Sequence, residues 1–173
     1  RYTDPRIVII HQENLGVVNS LNKGVSLCSS DLIARLDADG YVHPHWLEKH
    51  YEYLTQNQDV VLCSSRFEEL VNGKLYPQSF PFVENDNEIR KSLSFMNPIA
   101  HSLSIIRKPS LMRAGGYDPK LIIAHDYDLW IRLLEVGKGH NLDAWLQYCQ
   151  WRHRIFLLET HIRLTFRRAL PNG

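Results

Sequence analysis

The chain has 173 residues, of which 44% are hydrophobic and 10% aromatic, and this is enough for one domain with a buried core. No apolar run approaches the roughly 20 residues of a membrane-spanning helix, and no signal-peptide pattern opens the chain, so the sequence predicts a cytoplasmic protein. Three widely spaced cysteines without a Cys-x-x-Cys pair argue against a disulfide framework or a structural zinc site.

The first third of the chain alternates between strand and helix patterns. Residues 6–11 form a β-branched run that predicts a buried strand, and a helix is expected over about residues 18–27. Residues 32–36 predict a second buried strand, and its C-terminal end carries Asp37 and Asp39. Ligands of open α/β sheets bind outside the carboxyl ends of strands, so this position favours a functional site.

The middle of the chain continues the alternation. Pro44 suits the first turn of a helix, and the recurrence of Trp46, Leu47, Tyr51 and Leu54 predicts the core-facing side of that helix. A strand is expected over residues 60–67. Asn72-Gly73 then predicts a hairpin turn, and a further helix ends before Asn97-Pro98.

The last predicted elements are a strand over residues 100–107, a short helix that starts at Pro109 and stops at Gly115-Gly116, and a helix that Asp126 opens. That last helix buries Leu129, Trp130, Leu133 and Leu134 and ends at Gly137. Alternating strands and helices predict an α/β fold with a mainly parallel sheet flanked by helices.

We place one domain over residues 1–151 and a basic amphipathic tail over residues 152–173. The tail has five arginines and one glutamate, interleaved with apolar residues such as Phe156 and Leu164. This interleaving fits an anionic membrane surface or a partner helix better than nucleic acid, and it predicts a peripheral membrane contact.

Several short motifs, in this order, closely resemble the family 2 glycosyltransferases, which are inverting enzymes of the GT-A fold. The resemblance extends from about Asp4 to about His153. Its motifs are Asp4-Pro5-Arg6-Ile7, Gln12-Glu13-Asn14-Leu15-Gly16, Asn22-Lys23-Gly24, Ala34-Arg35-Leu36-Asp37-Ala38-Asp39, Asn97-Pro98-Ile99-Ala100-His101, Gly115-Gly116-Tyr117-Asp118 and Asp126-Tyr127-Asp128-Leu129-Trp130.

The resemblance also implies that the first strand-helix units of the family fold precede Arg1, so that the chain is either a fragment or a naturally shortened relative. In the family fold the strands at residues 6–11 and 32–36 are separated by strands from that preceding part. Unpaired strand edges would remain, and we expect pairing between copies to form an oligomer.

The same resemblance implies the donor site. A sugar-diphosphate leaving group sheds negative charge, and a divalent ion can neutralise that charge. Asp39 is expected to hold manganese or magnesium, and Asp37 is expected to contact the ribose or the metal. Arg152 and His153 would bind the diphosphate of a UDP-hexose. Relatives usually carry a further Asp where this chain has Gly40.

The resemblance also assigns the acceptor side. Asp126 matches the general base that deprotonates the acceptor hydroxyl, and a helix N-terminus favours its ionised form. His125 stands where relatives usually carry Glu, a change expected to alter acceptor choice or lower activity; His125 as a replacement base is a second reading. His101 and Trp130 are expected near the sugar, with packing roles as the alternative.

The sequence therefore predicts a hexosyltransferase that builds cell-surface polysaccharide from a nucleotide sugar, with a saccharide or lipid-linked acceptor and no nucleic-acid partner. Two alternatives remain. The first is a non-catalytic remnant acting as an interaction module, and the second is a nucleotidyltransferase of related architecture. UDP binding would separate the enzyme from the remnant, and pyrophosphate release would indicate the nucleotidyltransferase.

Overall fold

A computed structural model describes residues 4–38 and 40–150 as a six-stranded sheet with helices packed on it. The elements in chain order are α1 (Val17–Leu27), β1 (Leu32–Ala34), β2 (Gly40–Val42), α2 (Trp46–Gln56), β3 (Val60–Val71), β4 (Lys74–Pro77), α3 (Asp86–Ser92), β5 (Ile105–Arg107), α4 (Lys108–Arg113), α5 (His125–Val136) and β6 (Lys138–Gln150).

Two hydrophobic clusters form the core on the two faces of the sheet. Ile106 joins the cluster that α1, α3, α4 and α5 share, while its neighbour Ile105 joins the cluster that α2 covers. Successive side chains of a strand point to opposite faces, so β5 supplies both clusters.

The strand order is β1-β5-β3-β6-β2, with β4 paired to β3. Only the β3–β6 pairing is parallel; β1–β5, β3–β5, β2–β6 and β3–β4 are antiparallel. The predicted α/β class is confirmed, but the expectation of a mainly parallel sheet is wrong for the described residues. Alternation of strands and helices in the sequence does not reveal which strands become neighbours in the sheet. Here strands that follow each other in the chain are either antiparallel neighbours or are not neighbours in the sheet.

The strand expected over residues 6–11 does not form. A turn at Pro5 and Arg6 opens the segment, the remainder has no regular secondary structure and pairs with no described strand, and Val8 and Ile9 are 74% and 54% exposed. A β-branched composition favours a strand only where a neighbouring strand supplies hydrogen bonds and packing. β1 lies at one end of the strand order, so its outer edge also lacks a partner among the described strands.

The buried face of α2 differs from the expected one. Trp46, His50 and Leu54 are buried, whereas Leu47 and Tyr51 are 57% and 60% exposed. The four predicted residues cover two adjacent stripes of the helix, and only the stripe through Trp46, His50 and Leu54 faces the sheet. Leu47 and Tyr51 instead line an apolar groove beside β1.

Other local predictions are confirmed. α1, α4 and α5 form where their patterns indicate, and Asn72 and Gly73 make the hairpin turn between β3 and β4 with positive φ angles of 51° and 78°. The strand expected over residues 100–107 shortens to β5, because the backbone turns at Leu103 with a φ of 85°.

Cys28 and Cys63 are free thiols, and burial raises the pKa of the Cys63 thiol. The helices of the described part have at most 12 residues, and none could cross a bilayer.

Candidate active site

The C-terminal end of β1 positions Asp37. Beyond β1 the pairing continues through Arg35, whose N–H donates to the Ser104 carbonyl at 2.9 Å and whose carbonyl accepts from Leu103 at 2.7 Å. The Asp37 N–H donates to Ser102 Oγ at 3.0 Å, and Arg35 Nη1 donates to Asp37 Oδ2 at 2.6 Å. No described donor reaches Oδ1 of Asp37, and this side chain is 48% exposed.

A turn at Ala38 follows, and Asp39 lies outside the described residues. The Gly40 N–H donates to the Asp37 carbonyl at 3.1 Å, and Gly40 opens β2. A Cβ at Gly40 would lie 3.0 Å from Leu36 Cδ1 and 3.4 Å from Ser102 Oγ. The aspartate that relatives usually carry here would therefore require Leu36 to move.

The N-terminus of α5 positions the second carboxylate. Ala124 precedes the helix in the left-handed region, with a φ of 58°, and His125 and Asp126 form the first turn. Asn97 Nδ2 donates to Asp126 Oδ2 at 2.9 Å. A carboxylate in the first turn of a helix faces the positive end of the helix dipole, which favours the ionised form that a base requires.

A pair formed by the partly buried His101 and the buried Tyr117 lies near both carboxylates. His101 Nε2 and the Tyr117 hydroxyl are 2.9 Å apart. Asn22 on α1 fixes the tyrosine, because its Nδ2 donates to the Tyr117 carbonyl at 2.8 Å and its Oδ1 accepts from the Tyr117 N–H at 3.0 Å. Gly116 permits this contact: its φ is 69°, and a Cβ there would lie 3.1 Å from Asn22 Oδ1.

The electrostatics of the pair show which charges surround it. Burial lowers the pKa of His101 to about 2, and the neighbouring Arg35 and His125 lower it further. Burial raises the pKa of Tyr117 to about 12; Asp126 and Asp37 raise it further, while Arg35 opposes them. Both rings are therefore neutral near pH 7. The fold brings the predicted residues Asp37 and Asp126 near the Tyr117 hydroxyl.

His125 and Trp130 pack against the same pair. The His125 ring lies 5.1 Å from that of His101 between centroids, and its two nitrogens are buried without a hydrogen-bond partner among the described residues. Trp130 is fully buried, with its ring 5.8 Å from that of His101. Trp130 therefore supports His101 from the core side, whereas both ring nitrogens of His125 remain available for hydrogen bonds.

Arg152 and His153 lie outside the described residues. β6 is described as far as Gln150, and the β2–β6 register pairs Gly40 with Cys149, so the last described residues of β6 lie beside the start of β2. Within residues 4–38 and 40–150, no cluster of three or more His, Cys, Asp or Glu side chains could hold a metal ion.

Sequence reasoning assigned no site role to Arg35, Ser102, Tyr117 or Asn97. Asn97 and Tyr117 belong to two of the motifs that carried the resemblance. Their position inside those motifs was the available signal, but nothing local indicates that they meet residues more than 15 positions away.

Solved structures of S. aureus TarS share this fold. The complex of TarS residues 1–349 with UDP superposes with a TM-score of 0.63 at 16% identity, covering 82% of this chain and 42% of that chain. The complex with UDP-GlcNAc also gives 0.63, covering 80% and 40%. These similarities define the class of the fold as the GT-A type of nucleotide-sugar transferases.

The sequence profile described as "Glycosyl transferase family 2" matches residues 1–114. The chain belongs to glycosyltransferase family 2.

Among its curated relatives, the amylovoran biosynthesis glycosyltransferase AmsE of Erwinia amylovora is 31% identical over 136 residues, covering 77% of this chain and 49% of AmsE. The O-antigen biosynthesis glycosyltransferase WbnJ of Escherichia coli is 33% identical, covering 88% of this chain and 58% of WbnJ. An Escherichia coli protein named UDP-Gal:alpha-D-GlcNAc-diphosphoundecaprenol beta-1,3-galactosyltransferase is 30% identical, covering 76% of this chain and 48% of that protein. The chain thus spans about half the length of these relatives.

Proposed function

We propose that this protein transfers a hexose, with inversion, from a UDP-sugar to a hydroxyl group of a growing cell-surface saccharide. The observation that carries the proposal is that two carboxylates from distant parts of the chain lie close enough to one side chain to affect it: Asp37, beyond the end of β1, and Asp126, at the start of α5, both raise the pKa of Tyr117. A donor-side and an acceptor-side carboxylate in one place are what inverting transfer needs.

The names of related proteins support the substrate class. Relatives are named for amylovoran and O-antigen biosynthesis, one relative's name gives a UDP-sugar donor and a diphosphoundecaprenol acceptor, and the TarS structures hold UDP and UDP-GlcNAc. By this analogy we propose a lipid-linked acceptor for this chain. A cytoplasmic protein that meets the membrane through residues 152–173 would reach such an acceptor. This tail is a separate unit from residues 1–151 in our proposal.

The donor set fits a hard divalent ion. Asp37 presents an exposed carboxylate whose Oδ1 receives no described hydrogen bond. Mg²⁺ and Mn²⁺ bind through one or two carboxylates together with phosphate oxygens and waters. Asp39 and Asp37 would hold the ion, which when bound supplies charge neutralisation for the departing diphosphate. Arg152 and His153, which follow β6 in sequence, are the proposed diphosphate contacts.

Asp126 is the proposed base in the transfer step. It takes the proton of the acceptor hydroxyl as that oxygen attacks the anomeric carbon, and the sugar–phosphate bond breaks on the opposite face. The His101–Tyr117 pair lines this part of the site, and because both rings are neutral they place no additional charge beside the proposed base. His125 precedes the base in the first turn of α5, and its ring lies 5.1 Å from that of His101, so we propose that this histidine shapes the acceptor side of the site.

A titration with UDP tests the donor side. Asp39→Asn should abolish the manganese-dependent part of UDP binding in calorimetry, because a neutral amide loses the charge that holds a hard cation. Asp59→Asn is the matched control, since Asp59 is exposed and pairs with Lys138, which opens β6. Unchanged manganese dependence in Asp39→Asn would contradict the metal role. Absence of UDP binding by the parent chain would favour the non-catalytic remnant.

A further inference from the structure

The side-chain amide of Asn97 is held in one orientation beside Asp126. Asn97 lies between α3 and β5; its Nδ2 donates to Asp126 Oδ2 at 2.9 Å, and its Oδ1 accepts from the Ile99 N–H at 3.2 Å. An amide nitrogen only donates and an amide oxygen only accepts, so these two partners fix which end faces Asp126. A flipped amide would lose both hydrogen bonds.

The loop that carries Asn97 is itself anchored. The Pro98 carbonyl accepts from Asn141 Nδ2 on β6 at 3.2 Å, and Ile99 is 2% exposed. On the other side of the loop, the Tyr127 hydroxyl of α5 donates to the Leu93 carbonyl at 2.5 Å. The loop and the first turn of α5 are therefore tied together at two points, of which the Asn97–Asp126 hydrogen bond is one.

We propose that Asn97 is a positioning residue that orients the Asp126 carboxylate for proton transfer. This inference rests on the proposed role of Asp126 as the base. The Asn97 N–H occupies Oδ2, while Oδ1 receives no described hydrogen bond and is left to accept the hydroxyl proton. Holding one oxygen restricts rotation of the carboxylate, and an N–H donated to a carboxylate stabilises its ionised form.

The charged and titratable groups in this part of the site are few. His125 shares the first turn with Asp126, Tyr117 and His101 approach from the loops around α4 and β5, and Arg35 and Asp37 lie at the end of β1. Asn97 is neutral and donates directly to Asp126. A charge introduced at position 97 would therefore act on the proposed base from hydrogen-bond distance.

Asn97→Asp is the informative substitution. It keeps the shape of the side chain and an oxygen for the Ile99 N–H, but it replaces the donor with a second carboxylate about 3 Å from Asp126. Two carboxylates this close share a proton, and one of them stays protonated to a higher pH.

We expect the acidic limb of the pH–rate profile to move up by about one unit or more, and kcat near pH 7 to fall about tenfold or more, with KM for the donor unchanged. The measured reaction is UDP release from a panel of UDP-glucose, UDP-galactose and UDP-N-acetylglucosamine, with water as the acceptor.

Asn87→Asp is the matched control, because Asn87 is an exposed residue of α3 and gains the same charge. Its profile should match that of the parent chain. An Asn97→Asp variant with unchanged kcat and an unmoved acidic limb would overturn the inference. If Asn97→Asp does not fold, Asn97→Ser replaces it: the shorter side chain loses the amide hydrogen bond to Asp126 Oδ2, and a smaller shift of the limb in the same direction is expected. A lower melting temperature without that shift would show a structural role only and would overturn the inference.

Asp126→Asn, measured in parallel, separates this inference from the proposed function. If Asp126→Asn retains the parent rate, the base assignment itself fails. If Asp126→Asn is inactive while Asn97→Asp keeps the parent pH profile, only the positioning role of Asn97 fails.

Discussion

At the scale of single residues, the site depends on polar groups that the fold keeps neutral. His101 lies against Tyr117, His125 and Trp130, and burial holds its pKa far below that of a solvated imidazole. A cationic His101 would stand beside His125 and near Arg35, so the native packing requires the neutral ring. The histidine therefore links the stability of the site to pH.

The unfolded chain binds a proton at His101 near pH 6.5, whereas the folded chain binds none until about pH 2. The unfolded state thus holds more protons between these values, and the free energy of unfolding decreases as the pH falls. From pH 8 to pH 5 we expect His101 to account for a loss of about 2 kcal/mol.

Urea unfolding of the parent chain and of His101→Gln at both pH values measures this contribution. The difference between the two pH values should be smaller in His101→Gln by that amount. Equal pH dependence in both proteins would show that His101 is not held neutral by the fold. The buried His50 is also shifted to a lower pKa, so it contributes equally to both proteins and cancels.

At the scale of elements, α2 shows what a sequence pattern leaves open. Trp46 and Leu47 are adjacent, and a stripe of spacing three to four can be drawn through either of them. In the structure the buried stripe runs through Trp46, His50 and Leu54, whereas Leu47 is 57% exposed. The shape of the sheet face that α2 covers decides which stripe is buried, and the sequence of the helix alone does not reveal that shape.

Two leucine substitutions in α2 test that assignment. Leu54→Ala should lower the free energy of unfolding by about 2 to 5 kcal/mol, because it removes buried methyl groups and leaves a cavity. Leu47→Ala, the same chemical change on the exposed side, should cost less than about 1 kcal/mol. Thermal or urea unfolding of the two variants measures these changes. Equal decreases in the free energy of unfolding would show that both stripes are buried.

Elements with strong local signals could be predicted, and those that depend on distant partners could not. α5 formed as expected because its apolar spacing and its terminal Gly137 lie within one segment. β6 was missed because polar residues such as His140 and Asn141 interrupt its apolar pattern. Residues 6–11 had a strand composition but found no described partner, since pairing is a property of two segments.

The residues of the candidate site also differ in how far the sequence reveals them. Asp37 and Asp126 were recognisable because each lies at a clear local boundary, Asp37 after the end of a strand and Asp126 at the start of a helix. The contacts between Asn97 and Asp126 and between Asn22 and Tyr117 join residues 29 and 95 positions apart. Such contacts follow from tertiary packing and have no local signature in the sequence.

At the scale of the whole molecule, the described part exposes a strand edge and apolar side chains. β1 ends the strand order, the groove beside it is lined by Leu47 and Tyr51, and residues 6–11 expose the β-branched side chains of Ile7, Val8 and Ile9. Exposed strand edges pair with other chains, and we expect copies of this 173-residue chain to associate through them.

Sedimentation of the purified 173-residue chain over a range of concentrations tests this association. Val8→Lys should shift the distribution towards monomer, because a charged side chain on an exposed strand segment disfavours pairing between edges. A monomeric parent chain that melts cooperatively at every concentration would contradict the prediction.

Asp126 is the proposed base of the glycosyl transfer reaction. The most direct test of this role is the rate of UDP release at saturating UDP-sugar and manganese, for the parent chain and for Asp126→Asn. We predict that Asp126→Asn lowers this rate by about 10²-fold or more while the affinity for UDP stays within about twofold. A parent-like rate in Asp126→Asn, together with a large loss in His125→Ala, would contradict the claim and assign the base to His125.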